Sequence, residues 1–356
     1  MELTEIIGLF LKAFLIGNLI MLVFALMTWI ERRLLSFFQY RLGPNRVGPF
    51  GLLQPIADLL KLIRKENFQP DSVSSLMHLL APLATLFFAL AAFAVVPFGI
   101  SDWNIFGWHT APGMAPDLDV GVLFAIAMSG LGGYGVIVGG WASNSKYALL
   151  GALRACAQLI SYEVSLTLSI LPIIMMTNSL SMSEIATGHI GWEIGSWHPW
   201  FIVWAPAGFV IFLLSALAEA NRAPFDHAEA EQELVGGFHT EFGGLRYAAF
   251  ANAEYLHLFA ISAIGVTFFL GGPTIPFLSD PNSVEFWGLS WGALLGLTSF
   301  LVKMAMFLFL FIWIRATVPR LRYDRLMRLG WKALLPIATV QVLVTALLVS
   351  QGWGKV

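Results

Sequence analysis

The stretch AEANRAPFDHAEAEQELVGGFHTEF, residues 218–242, gathers Glu219, Asp226, Glu229, Glu231, Glu233 and Glu241, with only Arg222 and, just beyond, Arg246 as basic residues. Pro224 and Asp226 read as a helix start, with Glu229 three residues on as in a capping box, and acids in a first turn suit the helix dipole. Glu233 then falls on the same helical face as Asp226 and Glu229, before Gly236 and Gly237 break the helix. Like charges at such spacing destabilise an isolated helix by a few tenths of a kcal/mol. Carboxylates this close titrate as a coupled unit, so some are expected to hold protons near neutral pH. Such a set can be flipped by a new charge nearby. A solvated acidic face is the plainer alternative.

Other acids stand where water is scarce. Glu163 falls within the apolar LISYEVSLTLSILP. A carboxylate there costs several kcal/mol unless it is neutralised or paired, and an ionisable residue at membrane depth marks a functional site by default. The bland alternative is a Glu bonded to a neighbouring helix for packing alone. Lys303, in LTSFLVKMAMFLF, is a second interior charge and is expected to pair with an acid. Glu219 and Glu254 end one apolar run and begin the next on the same side, so they continue a polar track from Glu163.

These residues need a scaffold, and composition names its class. Of 356 residues, 58% are hydrophobic and 12% charged, where a water-soluble domain carries roughly a quarter charged. Apolar runs recur at roughly 8–30, 76–98, 120–141, 155–176, 201–218, 249–271, 288–314 and 333–350. Each is long enough to cross a bilayer core of about 30 Å. The reading is an all-α, polytopic membrane protein: one domain over 1–356, a bundle of about eight transmembrane helices. The first run lacks a small-residue cleavage site and reads as an anchor.

Charge orders the loops. Those at 31–75, 142–154, 219–248 and 315–332 carry the chain's arginines and most lysines, whereas 99–119, 177–200 and 272–287 carry neither. By the positive-inside rule the first set is cytoplasmic, the second outer, and both termini lie on the outer, periplasmic side of a bacterial inner membrane.

The first basic loop contains GPNRVGPFG, dense in turn-forming residues, and then PIADLLKLIRKE. In the latter Ile56, Leu59, Leu60 and Ile63 recur at helical spacing against Asp58, Lys61, Arg64 and Lys65. This is an amphipathic helix lying along the membrane face. A basic loop touching anionic lipid accounts for the charges. A rigid loop feeding an interfacial helix looks, beyond that, like a shaped entrance for an amphiphile.

A single cysteine, Cys156, cannot hold an iron–sulfur cluster, which takes about four. The histidines show no metal-binding spacing and no nucleotide loop or nucleophile motif occurs. The chain carries no complete catalytic site, no metal and no cofactor of its own.

Taken together, ERR at 31–33, RLGPNRVGPFGLLQPIADLLKL at 41–62, SYEV at 161–164, the run from Glu219 to Phe238 and AEY at 253–255 closely resemble the family of the membrane H subunit of the proton-pumping NADH:quinone oxidoreductase, respiratory complex I. The match runs in order over most of the chain. The resemblance implies an eight-helix membrane protein forming much of the tunnel through which quinone, ubiquinone or menaquinone, reaches the iron–sulfur chain. By it, Glu31, Arg32, Arg41, Asp58, Phe225, Asp226 and Phe238 belong to the tunnel and its loops. Glu163 and Glu219, with Glu254, begin a buried carboxylate path, and Glu229, Glu231 and Glu233 form the acidic loop beside the quinone chamber. Partners implied are peripheral iron–sulfur and quinone-site subunits, which hold the flavin and clusters, small and antiporter-like membrane subunits, and lipid; nucleic acid is not among them. His227 and His239 depart from the family's pattern and are expected at the surface; facing the cavity, they would change charge between about pH 6 and 7. The alternatives are the equivalent subunit of a membrane-bound hydrogenase or a ferredoxin- or F420-linked dehydrogenase, and a proton-coupled transporter, against which stands the lack of an internal repeat.

Overall fold

The computed structural model describes residues 3–70, 73–99, 103–105, 108–110, 113–188, 200–228, 231–275, 285–286 and 289–352. Its helices are α1 Leu3–Phe38, α2 Gln54–Arg64, α3 Ser75–Phe93, α4 Gly121–Ala142, α5 Lys146–Thr177, α6 Met182–Gly188, α7 Phe201–Trp204, α8 Pro206–Glu219, α9 Glu231–Leu234, α10 Gly244–Phe269, α11 Trp291–Thr317, α12 Tyr323–Arg328 and α13 Leu335–Ser350. Among the described residues, seven helices are long and apolar enough to span a bilayer, α12 running through a π-helical turn into α13 as one of them. The chain is a multi-pass membrane protein. Two short antiparallel ribbons, Trp103–Ile105 with Trp108–Thr110 and Glu285–Phe286 with Leu289–Ser290, lie in or beside loops expected to be on the outer side. Much of 99–119, 177–200 and 272–287 falls outside the described residues.

The fifth apolar run, expected as one span over 201–218, is instead two helices. Proline lacks an N–H and biases the preceding residue away from α-helical angles. Ala205 accordingly sits at φ −127°, ψ 56° between α7 and α8, with Pro206 opening the new helix.

Neighbouring segments approach closely where glycine permits. A Cβ on Gly151 of α5 would lie 2.8 Å from the Phe238 nitrogen and 2.9 Å from the Ala228 carbonyl, so the acidic loop rests directly on α5. In the first loop Gly51, at φ 77°, sits with its backbone against Pro44, and Trp29 Nε1 and Arg33 both donate to the Phe50 carbonyl. That folds GPNRVGPFG into a compact corner leading to α2. As expected, α2 is amphipathic: Ile56, Leu59, Leu60 and Ile63 are all exposed, forming an apolar stripe that none of the described residues covers.

Among the described residues, Lys303 of α11 meets no acid. Its ammonium donates to the carbonyls of Leu270, Gly272 and Thr274 at 2.7, 2.9 and 2.5 Å and lies 4.6 Å from the Trp200 ring centre. These carbonyls follow the end of α10, where helix acceptors lose their partners and a cation is favoured by the dipole.

Candidate functional site

Four helices bring polar groups to one buried place. Ser129 comes from α4, Glu163 from α5, Glu219 from the last position of α8, and Glu254 and His257 from α10. Ser129 Oγ donates to Glu219, whose Oε1 is 3.5 Å from His257 Nε2; Glu219 is 4% exposed. Glu163 is close enough to feel both Glu219 and His257 electrostatically. Gly130 makes room for it: a Cβ there would lie 2.5 Å from Glu163 Oε1. Glu219, Glu254, His257, Ser129 and Phe238 line a cavity of about 40 Å³, enough for more than one water molecule. Among the described residues, no Lys or Arg lines it.

A second cluster adjoins it and is built oppositely. Glu31 near the end of α1, 4% exposed, accepts from Arg222 at 3.3 Å and from Arg315 of α11, and is hydrogen-bonded to Tyr255 of α10. The Arg222 guanidinium lies over the Tyr255 ring, 3.9 Å from its centre. Burial opposes the charge on Arg222, but Glu31, Tyr255 and Glu254 outweigh it and raise its pKa. Glu254 thus faces the cavity and acts on Arg222, linking the clusters.

The acidic loop departs from expectation. No helix runs from Asp226 to Glu233: turns occupy 223–228, and a single helical turn covers Glu231–Leu234. Asp226 and Glu233 do not share a helical face, because the loop folds to bury Phe225, His227 and Ala228 instead. Glu229 and the side chain of Glu231 lie outside the described residues. Glu233 receives a hydrogen bond from Arg154 at 2.5 Å, which with help from Arg320 holds its carboxyl below the usual range. It is ionised at neutral pH. His227 is not at the surface: it is 1% exposed, with Arg320 Nη2 3.4 Å from its Nδ1. Burial, then Arg320, push it down to about 4, so it stays neutral where titration was expected. His239 is half-buried, bonded through Nδ1 to the Gly236 carbonyl.

A family profile described as NADH dehydrogenase matches residues 11–346. The H 1 subunit of NADH-quinone oxidoreductase from Geobacter metallireducens is 47% identical over 342 residues, covering 96% of this chain and 94% of the relative. Subunit 8 of NADH-quinone oxidoreductase from Thermus thermophilus is 46% identical over 340 residues, 96% of this chain and 86% of the relative. The H subunit from Thermomicrobium roseum is 42% identical over 357 residues, 99% of each. The chain belongs to the H-subunit family of NADH-quinone oxidoreductase.

Among the described residues, the expected tunnel positions of this H-family chain do not converge on one catalytic centre. Arg32 binds Asp58 of α2 at 2.5 Å, tying α1 to the amphipathic helix. Arg41 is exposed and bonds Gln39. Phe225 is 2% exposed behind Tyr162, Phe238 is 1% exposed against Phe250, and Asp226 is half-buried. The chain is, by itself, a non-catalytic membrane component of an oxidoreductase. Sequence reading missed Ser129, Tyr255, His257, Arg154, Arg315 and Arg320. His257 carried a readable signal, a histidine at membrane depth one turn from Glu254; the arginines lie 79 to 284 residues from the acids they bind.

Proposed function

We propose that this chain forms the quinone-access tunnel of a proton-pumping NADH:quinone oxidoreductase and the first part of its buried carboxylate path. The observation carrying this reading is the pocket lined by Glu219, Glu254 and His257, with no Lys or Arg among the described residues lining it and with Glu163 near enough to act electrostatically on Glu219 and His257. Acids close together in a low dielectric interact strongly, so their protonation is sensitive to charge arriving nearby. Two-electron reduction of a quinone creates such charge. Arg222 and Arg315, fixed on Glu31, sense it first; Glu254, coupled to Arg222, carries the change to the cavity, where Glu219, His257 and Glu163 take up or release protons. The amphipathic helix α2, pinned by Arg32–Asp58 beside the Gly/Pro corner, forms the entrance, with Arg41, Phe225, Asp226 and Phe238 along the way. Glu229 and Glu231 belong to the same chamber. Peripheral subunits supply flavin, iron–sulfur clusters and the quinone head site, antiporter-like membrane subunits continue the path, and both termini face the periplasm of a bacterial inner membrane.

The test is Glu219→Gln and Glu163→Gln, singly and together, in the assembled complex reconstituted into vesicles. Quinone reduction by NADH and proton uptake are recorded in parallel. The expected result is loss of most coupled proton uptake in each variant; unchanged reduction and uptake in all three would sink the proposal.

A further inference from the structure

Helix α12 and the π-helical turn after it divide sharply into two faces. Leu326, Gly330 and Leu334, at four-residue spacing, are buried, and Tyr162 donates to the Leu326 carbonyl at 2.9 Å. Arg322, Arg325, Arg328 and Lys332, three or four residues apart, are all exposed, the first and third with side chains 82% and 71% accessible. Residues three and four apart share one helical face, which holds Arg325, Arg328 and Lys332, and Arg322 stands just before it as the extended N-cap residue. A single carboxylate, Asp324, stands among them, 3.4 Å from Arg322 and 3.9 Å from Arg328. The face is therefore net positive. Arg315 and Arg320 of the same connection turn inward, to Glu31 and His227, so the four outer cations are a separate group.

We propose that this face docks anionic phospholipid headgroups. The helix continues without interruption through Ser350, and Val340, Leu343 and Leu347 on α13 are each about as exposed as side chains of a lipid-facing helix must be. Lys332 and Arg328 thus stand about two and three helical turns from Val340, at headgroup level, with Arg325 and Arg322 about one and two turns farther out. Trp331, 52% exposed, sits among them with Nε1 bonded to Ser161 at 3.1 Å, the place an amphipathic ring takes at a membrane interface. A basic cluster immediately flanking a transmembrane helix binds anionic lipid electrostatically. Continuity with the lipid-facing helix favours lipid over a protein partner.

The experiment uses the assembled complex in phosphatidylcholine vesicles containing photoactivatable phosphatidylglycerol, with cross-linked peptides mapped by mass spectrometry. Labelling is expected within 322–332. The variant R322Q/R325Q/R328Q/K332Q should lower labelling, relative to a phosphatidylcholine probe, by on the order of several hundredfold, while R322K/R325K/R328K keeps it. D324N should raise it about fivefold, and decides the matter if the neutralised variant fails to assemble. The proposal is overturned if neither variant changes labelling, or if neutralisation releases peripheral subunits while labelling stays the same.

Discussion

The molecule contains two kinds of acid, and their neighbours differ. Glu31 and Glu233 are met by arginines from distant segments, Arg222 and Arg315 for one and Arg154 with Arg320 for the other. Glu219 instead meets Ser129 and His257, and Glu163 feels Glu219 and His257, with no arginine among these partners. A permanent guanidinium fixes its carboxylate as ionised and makes it a structural clamp. A hydroxyl and an imidazole leave the carboxylate able to change state. The negative density of the acidic loop thus draws attention to it, yet the acids proposed to switch are Glu219, in the cavity, and Glu163 beside it.

The largest effect that tests this contrast is Glu31→Ala. Removing one partner of a buried ion pair leaves charge uncompensated, here on two arginines, and costs about 3–5 kcal/mol. The expected outcome is a clear fall in thermal stability of the purified complex; an unchanged melting temperature would mean that Glu31 clamps nothing.

Gly130→Ala comes next. Its Cβ would stand 2.5 Å from Glu163 Oε1 and must displace the carboxylate. Coupled proton uptake should fall between tenfold and about a hundredfold, the scale of an ångström misplacement, while the clusters around Glu31 and Glu233 keep the complex intact. Normal uptake in this variant would remove Glu163 from the switchable set.

His227 sharpens the clamp side through pH. Its pKa falls from 6.5 to about 4 on folding. The folded loop therefore binds fewer protons than the unfolded one in that window, so the stabilisation is complete above pH 6.5 and is lost as pH falls toward 4. Each pH unit within the window costs about 1.4 kcal/mol. Protease protection of the loop should decline from pH 6.5 to 5 in the natural protein and be flatter in His227→Gln; equal slopes would contradict the burial argument.

Smallest is the Arg154–Glu233 pair, half-exposed on the Glu233 side. A double-mutant cycle with Arg154→Gln and Glu233→Gln should give a coupling of about 0.2–1 kcal/mol. A much larger value would place Glu233 among the buried clamps.

Much of the fold is legible in the chain because it rests on local regularities. Apolar length gives the spans, three- and four-residue spacing gives α2, and the Gly/Pro cluster gives the corner at Gly51. The acidic loop defeats the same approach: capping signals at Asp226 and Glu229 favour a helix locally, but burial of Phe225 and His227 against α5 and Tyr323 prevails. The candidate site is half legible. Glu163, Glu219 and Glu254 stand out as acids in apolar sequence, whereas the partners that decide their behaviour reach them across tertiary distance, Ser129 from 90 residues away. Lys303 illustrates the reverse error, since a lone interior cation suggests an acid and finds three carbonyls.

That lysine has a mechanical consequence. Bonds to Leu270, Gly272 and Thr274 tether the terminus of α10 to α11, while Glu254 and Tyr255 ride nearer its other end and His257 at its middle. A rod fastened at one extremity swings as a lever and does not slide as a piston. A displacement of α10 pivoting on the Lys303 anchor would be widest at Gly244, where the helix meets the end of α2.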